Sequence, residues 1–310
     1  MKAGEMFLIR VPASTANLGP GFDSIGLALG LYLEVKGCLS DKWEVIPMNE
    51  ELSVFPADES NYIVSVAIKT ARLYGRELPP CKLFIQSEIP LARGLGSSAS
   101  AIVAGIELAN IVCGLKLSLH EKNRQASILE GHPDNAGASV YGGLVAGWHT
   151  EERTDIISFP VEGIKVVAVI PYYELLTEDS RNVLPNTLSF MDAVSASAAA
   201  NVLLGAILAK KWEIAGAMMK RDRFHQPCRS HLVPHMELIE KVAARAGAIG
   251  TALSGAGPTV LCLVQDEKAK SIQEILIKEF PDFCIKIIEI VNQGSQTTIL
   301  TEGKGQMYPA

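Results

Sequence analysis

The stretch IPLARGLGSSASAI, residues 89–102, decides how the chain is read. Before it, KLFIQSEIP at 82–90 alternates apolar and polar residues with the period of a strand and stops at Pro90. After it, a small and apolar run from Ser98 ends at Cys113, ahead of Gly114 in the place of a helix C′ glycine. The stretch is therefore a turn from a strand into a helix N-terminus. Gly94 and Gly96 let backbone approach a ligand closely, Ser97 and Ser98 offer hydroxyls, and the first amides of the helix lack intrahelical acceptors. Those amides and the positive end of the helix dipole point to one place, which suits an anion, phosphate above all.

The two commonest phosphate loops do not fit. A Walker A loop requires GxxxxGK[ST], and no lysine follows Gly94 or Gly96. The dinucleotide fingerprint is formally met by Gly94, Gly96 and Ala99, but 115–119 carries no acid for a ribose hydroxyl. A Gly/Ser turn that merely starts its helix is the competing reading, so the rest of the chain must decide.

Outward from the loop, the pattern predicts strands over 5–11 and 25–36 around a turn-rich loop, STANLGPGFDS. It predicts helices over 60–75 behind a Ser60 N-cap and over 118–129, then a loop EGHPDNAGAS and a strand-like YGGLVAGW. The polar patch HTEERTD at 149–155 marks a boundary, giving domains 1–155 and 156–310. The second half reads as a strand over 164–171, helices over 191–209, 211–221 and 236–247, paired strands across 249–264, a helix over 267–279 and a strand over 283–290. The uncharged run 193–209 is too rich in Ala and Ser for a membrane span and reads as a buried helix.

Composition narrows the function. A chain of 310 residues that is 48% hydrophobic and 20% charged can build two cores. The net charge of −6, with no Lys/Arg run, argues against nucleic acid as a partner. Six cysteines without a CxxC suggest reduced thiols, and an N-terminus interrupted by Arg10 is no export signal, so a cytoplasmic small-molecule protein is expected.

Three further stretches join the first. PLARGLGSSAS resembles the central phosphate loop PxxxGLGSSAA of the GHMP kinases, and LSGAGPTVLCL at 253–263 resembles their C-terminal glycine-rich motif. VPASTANLGPGFDSIGLAL at 11–29 and EGHPDN at 130–135 look like the versions carried by the homoserine-phosphorylating branch. The resemblance spans the chain, with the motifs in family order. It implies an α+β fold with an N-terminal domain of the ribosomal protein S5 domain 2-like type and a ferredoxin-like C-terminal domain. It also implies ATP and Mg²⁺ as cofactors, L-homoserine as acceptor, no membrane, and a homodimer. A kinase for another hydroxylated metabolite such as mevalonate, or a nucleotide-binding relative without catalysis, stays open.

The same resemblance assigns ATP contacts to Pro90, Leu91, Ala92, Arg93, Gly94, Leu95, Gly96, Ser97, Ser98, Ala99 and Ser100, with Asn61 at the nucleoside. Phosphoryl transfer needs a cradle, a divalent ion and an oriented acceptor. Ser98 and Glu130 are the expected Mg²⁺ ligands; a carboxylate at a helix C-terminus is otherwise mildly unfavourable, which supports a role for Glu130. Asp134 and Asn135 stand where some members place a catalytic aspartate, as base or as orienting group. Asn17 and Asp23 are expected at the amino and hydroxyl groups of the acceptor, with His132 a further contact. Arg181 and Arg229 offer planar forks for its carboxylate. His225, Cys228, His231 and His235 could ligate zinc by type, but their spacing fits no common zinc pattern.

Overall fold

A computed structural model describes residues 4–300. The first part of the chain runs β1 (Met6–Asn17), β2 (Gly21–Leu39), β3 (Glu44–Pro47), α1 (Tyr62–Leu73), β4 (Cys81–Ser87), α2 (Ser97–Cys113), α3 (Leu119–Glu130), α4 (Asp134–Tyr141), β5 (Leu144–His149) and β6 (Thr154–Phe159). The second part runs β7 (Ile164–Ile170), α5 (Thr177–Asn182), α6 (Phe190–Leu208), α7 (Trp212–Met219), α8 (Gln226–Arg229), α9 (Met236–Ala246), β8 (Gly250–Leu253), β9 (Val260–Gln265), α10 (Ala269–Glu279), β10 (Cys284–Ile288) and β11 (Gln296–Leu300).

Two sheets organise these elements. In the first, β2 is the spine: it lies antiparallel to β1 over most of its length, to β5 through 25–27 and to β4 through 33–39. β3 adds in parallel beside β4, β6 pairs with β5, and β11 closes antiparallel on the outer side of β1. The second sheet is antiparallel in the order β10-β7-β9-β8. All six cysteines are free.

The helix α2 sits between α1, α3 and the first sheet, and its sequence explains that place. It is apolar all round, with Ile102, Val103, Ile106 and Leu108 at 0 or 1% exposure, as a helix covered on every side must be. Each such side chain contributes on the order of 2 kcal/mol by leaving water. Glycines in left-handed conformation set both ends, Gly96 at φ +74 and Gly114 at φ +62. The single acid inside it, Glu107, is fully buried and fully used: it takes Lys122 Nζ at 2.9 Å, Ser295 Oγ at 2.6 Å and bonds from Asn110 and Thr297. These contacts bind α2 to α3 and to the approach to β11.

Several local expectations are corrected. STANLGPGFDS is mostly strand, because Ser14, Thr15 and Ala16 are small enough to be buried in β1 and the turn shrinks to 18–20. Asn61, not Ser60, caps α1, its Oδ1 accepting from the amide of Ile63. EGHPDNAGAS contains α4, every one of whose first seven residues is buried, so no polar face announced it. HTEERTD is the hairpin between β5 and β6, and the boundary drawn at 155/156 falls inside β6; the chain changes sheets over 160–163. The helix read as buried, α6, buries Ala196, Ala199, Leu203, Ala206 and Ile207 but turns Phe190, Met191, Val194, Val202 and Leu208 outward. Its apolar residues occur on all sides, so composition alone does not tell the covered face from the open one.

Candidate active site

The stretches singled out in the sequence meet between the two sheets. Gly94 has φ +76, and a Cβ there would lie 2.2 Å from the carbonyl oxygen of Ser254 and 2.8 Å from that of Gly257, so only glycine permits the approach. Ser254 Oγ donates to the Gly94 carbonyl at 2.6 Å, and the Gly255 amide donates to the Ala16 carbonyl at 3.2 Å. The C-terminal glycine-rich motif thus buttresses the phosphate-type loop and the end of β1 together.

At the β1–β2 turn, Asn17 and Asp23 adopt positive φ, which their short polar side chains tolerate. Asn17 Oδ1 accepts from the Asp23 amide at 3.0 Å, and Nδ2 donates to the Gly255 carbonyl at 3.2 Å. Asp23 in turn receives a two-point bond from Arg181 on α5, Nη2 to Oδ1 at 2.7 Å and Nη1 to Oδ2 at 3.1 Å.

Arg229 on α8 is 2% exposed, extreme for a guanidinium. Burial and the neighbouring Arg181 push its pKa down to about 10, with Asp23 and Asp222 opposing, so it stays cationic at neutral pH. Its Nε donates to the Ser180 carbonyl at 2.9 Å, and Nη1 to the Gly255 carbonyl at 3.0 Å and to His225 Nδ1 at 3.1 Å.

On the facing side, Ser98 Oγ donates to Glu130 Oε2 at 3.1 Å. Burial pushes the Glu130 carboxyl up, against the opposing pull of His132 and Ser98. His132 hydrogen-bonds Asp134 Oδ1 through Nδ1. Burial alone would push its imidazole down, but the carboxylates of Asp134, Asp23 and Glu130 outweigh it and hold its pKa at about 9. Asp134 Oδ1 also accepts from the Asn135 amide, and Asn135 Oδ1 accepts from Ser14 Oγ at 3.0 Å.

These residues enclose a cleft of about 80 Å³, lined by Asn17, Asp23, Ser98, Glu130, His132, Asp134, Asn135, Arg181 and Arg229 with Gly94, Gly96 and Gly255. Beside it opens a much larger and mainly apolar cavity of about 550 Å³, lined by Leu33, Val45, Val54, Phe55, Asn61, Tyr62, Leu91, Leu176 and others. Ala92, Ser97, Ser98, Leu175 and Thr177 line both, so the start of α2 stands at the junction. Sequence reasoning pointed to Asn61, Leu91, Ala92, Ser97, Ser98 and Ser100 of the large cavity's lining but missed Val54, Phe55, Tyr62 and Leu176, which come from segments far apart in the chain.

Other expected residues fall elsewhere. Arg93 lines neither cavity; its side chain donates to the carbonyls of Leu91, Pro171 and Tyr172 and pairs with Glu174, fastening the loop to the second sheet's side. Asn61 lines the large cavity while its amide donates to the Pro56 carbonyl at 2.9 Å. His225 and His235 face different partners, Gly19 and Pro258 carbonyls, and no metal cluster forms from the 225–235 histidines among the described residues.

The architecture and its motifs agree with known proteins. The family descriptions GHMP kinases N terminal domain and GHMP kinases C terminal match residues 61–143 and 203–282, and the chain belongs to the GHMP kinases. It is 49% identical over 294 residues to the homoserine kinase of Bacillus velezensis, covering 95% of each chain. It is 44% identical over 302 residues to that of Halalkalibacterium halodurans, covering 97% of this chain and 98% of that one. The crystal structure of homoserine kinase from Cytophaga hutchinsonii superposes with a TM-score of 0.84 at 27% identity, over 96% of this chain and 99% of the other. Within the GHMP kinases, the chain falls in the homoserine kinase family.

Proposed function

We propose that the protein transfers the γ-phosphoryl group of ATP to the side-chain hydroxyl of L-homoserine, giving O-phospho-L-homoserine for threonine synthesis, with Mg²⁺ as the metal. One observation carries this reading: an apolar cavity and a small charged cleft meet at Ser97 and Ser98, at the N-terminus of α2. The adenosine is assigned to the apolar cavity and the phosphates to the amides of the loop and of the first turn of α2. The acceptor is assigned to the cleft, where Arg229 supplies a cationic fork for a carboxylate and Asn17 and the Asp23–Arg181 pair supply polar contacts, the Arg181 fork being turned onto Asp23.

The residues fit a magnesium ion. Ser98 and Glu130 present a hydroxyl and a carboxylate oxygen within 3.1 Å of each other, a hard donor pair that leaves the remaining ligand positions to water and phosphate. The burial that raises the Glu130 carboxyl is the cost a divalent cation would offset. Bound there, the ion would neutralise phosphate charge that the loop, lacking a lysine, does not meet itself. Asp134 carries the His132 partner and the start of α4, and we assign it to orienting that histidine in the cleft and not to proton removal.

The test is ADP release over L-homoserine, mevalonate, galactose and shikimate with Mg²⁺ and ATP. Turnover confined to homoserine is expected. Turnover of another acceptor alone, or none at all, sinks the reading.

A further inference from the structure

His225 lies outside the acceptor cleft, yet it is fully buried against two of the parts that form it. Its Nε2 stands 2.9 Å from the Gly19 carbonyl and 3.3 Å from Asp222 Oδ2. Both partners are acceptors, so Nε2 must carry the proton. Nδ1 is then a bare lone pair, and Arg229 Nη1, which can only donate, meets it at 3.1 Å. Geometry alone therefore assigns the tautomer. Burial agrees, pushing the imidazole down to about 4 and outweighing the Asp222 carboxylate.

The histidine is itself fixed. Asp222, also buried, accepts from the amides of Phe224 at 2.7 Å, His225 at 3.2 Å and Gln226 at 2.6 Å, which sets the start of α8. The ring stacks on Phe22 with centroids 5.4 Å apart. Of the three acceptors that hold Arg229, the carbonyls of Ser180 and Gly255 are backbone; His225 is the side chain among them. Nε and Nη1 are thus committed to these acceptors, and Arg229 lines the cleft.

The other end of the ring reaches the turn that presents Asn17 and Asp23. That turn is already pinned to the second half of the chain: a Cβ on Gly19 would lie 2.3 Å from the Met219 carbonyl oxygen.

We propose that His225 is a positioning residue for the acceptor: as a neutral Nε2–H imidazole bridging the Gly19 carbonyl and the Arg229 guanidinium, it aims Arg229 at the acceptor carboxylate and locks the β1–β2 turn at the matching distance. This rests on the homoserine reading of the cleft. The specificity consequence is that acceptor carboxylate recognition depends on a residue that does not touch the acceptor.

Steady-state kinetics of the full chain test this with L-homoserine and with its carboxamide, which keeps the reacting hydroxyl and amine but loses the negative charge. His225→Leu is expected to raise the homoserine KM by about tenfold or more while kcat and the ATP KM stay nearly unchanged, as for loss of a bond to a charged group. On the carboxamide the same variant should lose several-fold less in kcat/KM than on homoserine, the remaining loss reporting the loosened β1–β2 turn. His225→Asn, whose amide oxygen can stand where Nδ1 stands, should recover most of the homoserine KM. His225→Gln, which reaches Gly19 but offers no acceptor in that place, should recover less. An unchanged homoserine KM, an equal loss on both acceptors, or Gln rescuing better than Asn overturns the proposal. Should His225→Leu not fold, the order of Asn and Gln decides. If the unsubstituted enzyme does not turn over homoserine, the reading of the cleft fails before the question of His225 arises.

Discussion

Ser98 on the first turn of α2 and Glu130 on the last residue of α3 are 32 positions apart and hydrogen-bonded at 3.1 Å. Ser98 lines both cavities and Glu130 the charged cleft, so the pair puts two oxygens where the cavities meet. A magnesium ion held by these two oxygens would stabilise the negative charge that develops during transfer. Ser98→Ala and Glu130→Gln should each lower kcat by at least about tenfold, with the Mg²⁺ dependence shifted to higher concentration. ADP release across a magnesium titration measures both, and unchanged turnover removes the pair from metal binding.

Two glycines bound α2, and they should respond unequally to the same change. A Cβ on Gly96 would meet Ser14 Oγ at 2.1 Å, and Ser14 is the donor to Asn135 in the cleft. Gly114 also has positive φ but nothing within 4 Å. Gly114→Ala should cost only the left-handed backbone strain, about 1–2 kcal/mol, with kinetics intact. Gly96→Ala should cost more and raise the KM values as well. Denaturant unfolding with parallel kinetics separates the two; equal behaviour would mean that the Ser14 contact is not decisive.

Glu107 anchors four partners from inside the core, among them Lys122. Glu107→Ala strands the Lys122 ammonium, whose side chain is 12% exposed, and should destabilise the fold by about 3 kcal/mol. The midpoint of urea unfolding reports it. A shift under about 1 kcal/mol would show that water replaces the lost partner.

The carboxylates around His132, Asp134 first among them, predict a pH dependence of stability whose sign follows from the raised imidazole pKa. The folded-state pKa of His132 is raised from 6.5 to about 9. The stabilisation is therefore complete below pH 6.5 and is lost as pH rises through about 9. Melting temperature should fall between those values in the unsubstituted protein and fall less in His132→Gln. Parallel curves would remove His132 as the cause.

How much of this was legible in the sequence depends on how local the signal is. The turn into α2 declared itself because Pro90, Gly94, Gly96 and Gly114 each have a one-residue reason to be there. That the motifs would converge was legible, with Asn17, Asp23, Glu130, His132, Asp134, Arg181 and Arg229 all lining one charged cleft. α4 was not, because a helix buried on all sides has neither period nor cap to show. The large cavity was invisible for a different reason: Val45, Phe55, Tyr62 and Leu176 carry no chemistry that marks them, and only the fold brings them together. His225 was weighed as a metal ligand and set aside on spacing, and its contact with Arg229, four residues on, carries no signal in the sequence.

The edge strand β11 pairs with β1 from Met6↔Leu300 to Arg10↔Gln296, so the outer strand of the first sheet comes from nearly the far end of the described chain. Of the described strands β1 is synthesised first and β11, its outer neighbour, after all the others. Until then β1 has an open edge of unpaired amides and carbonyls, the feature that invites pairing with other chains, and Glu107 lacks its Ser295 and Thr297 partners. The open edge of the first sheet and the partly unmet carboxylate inside α2 therefore persist in the nascent chain until residues 295–300 emerge and dock, and the risk of aggregation through that edge closes only then.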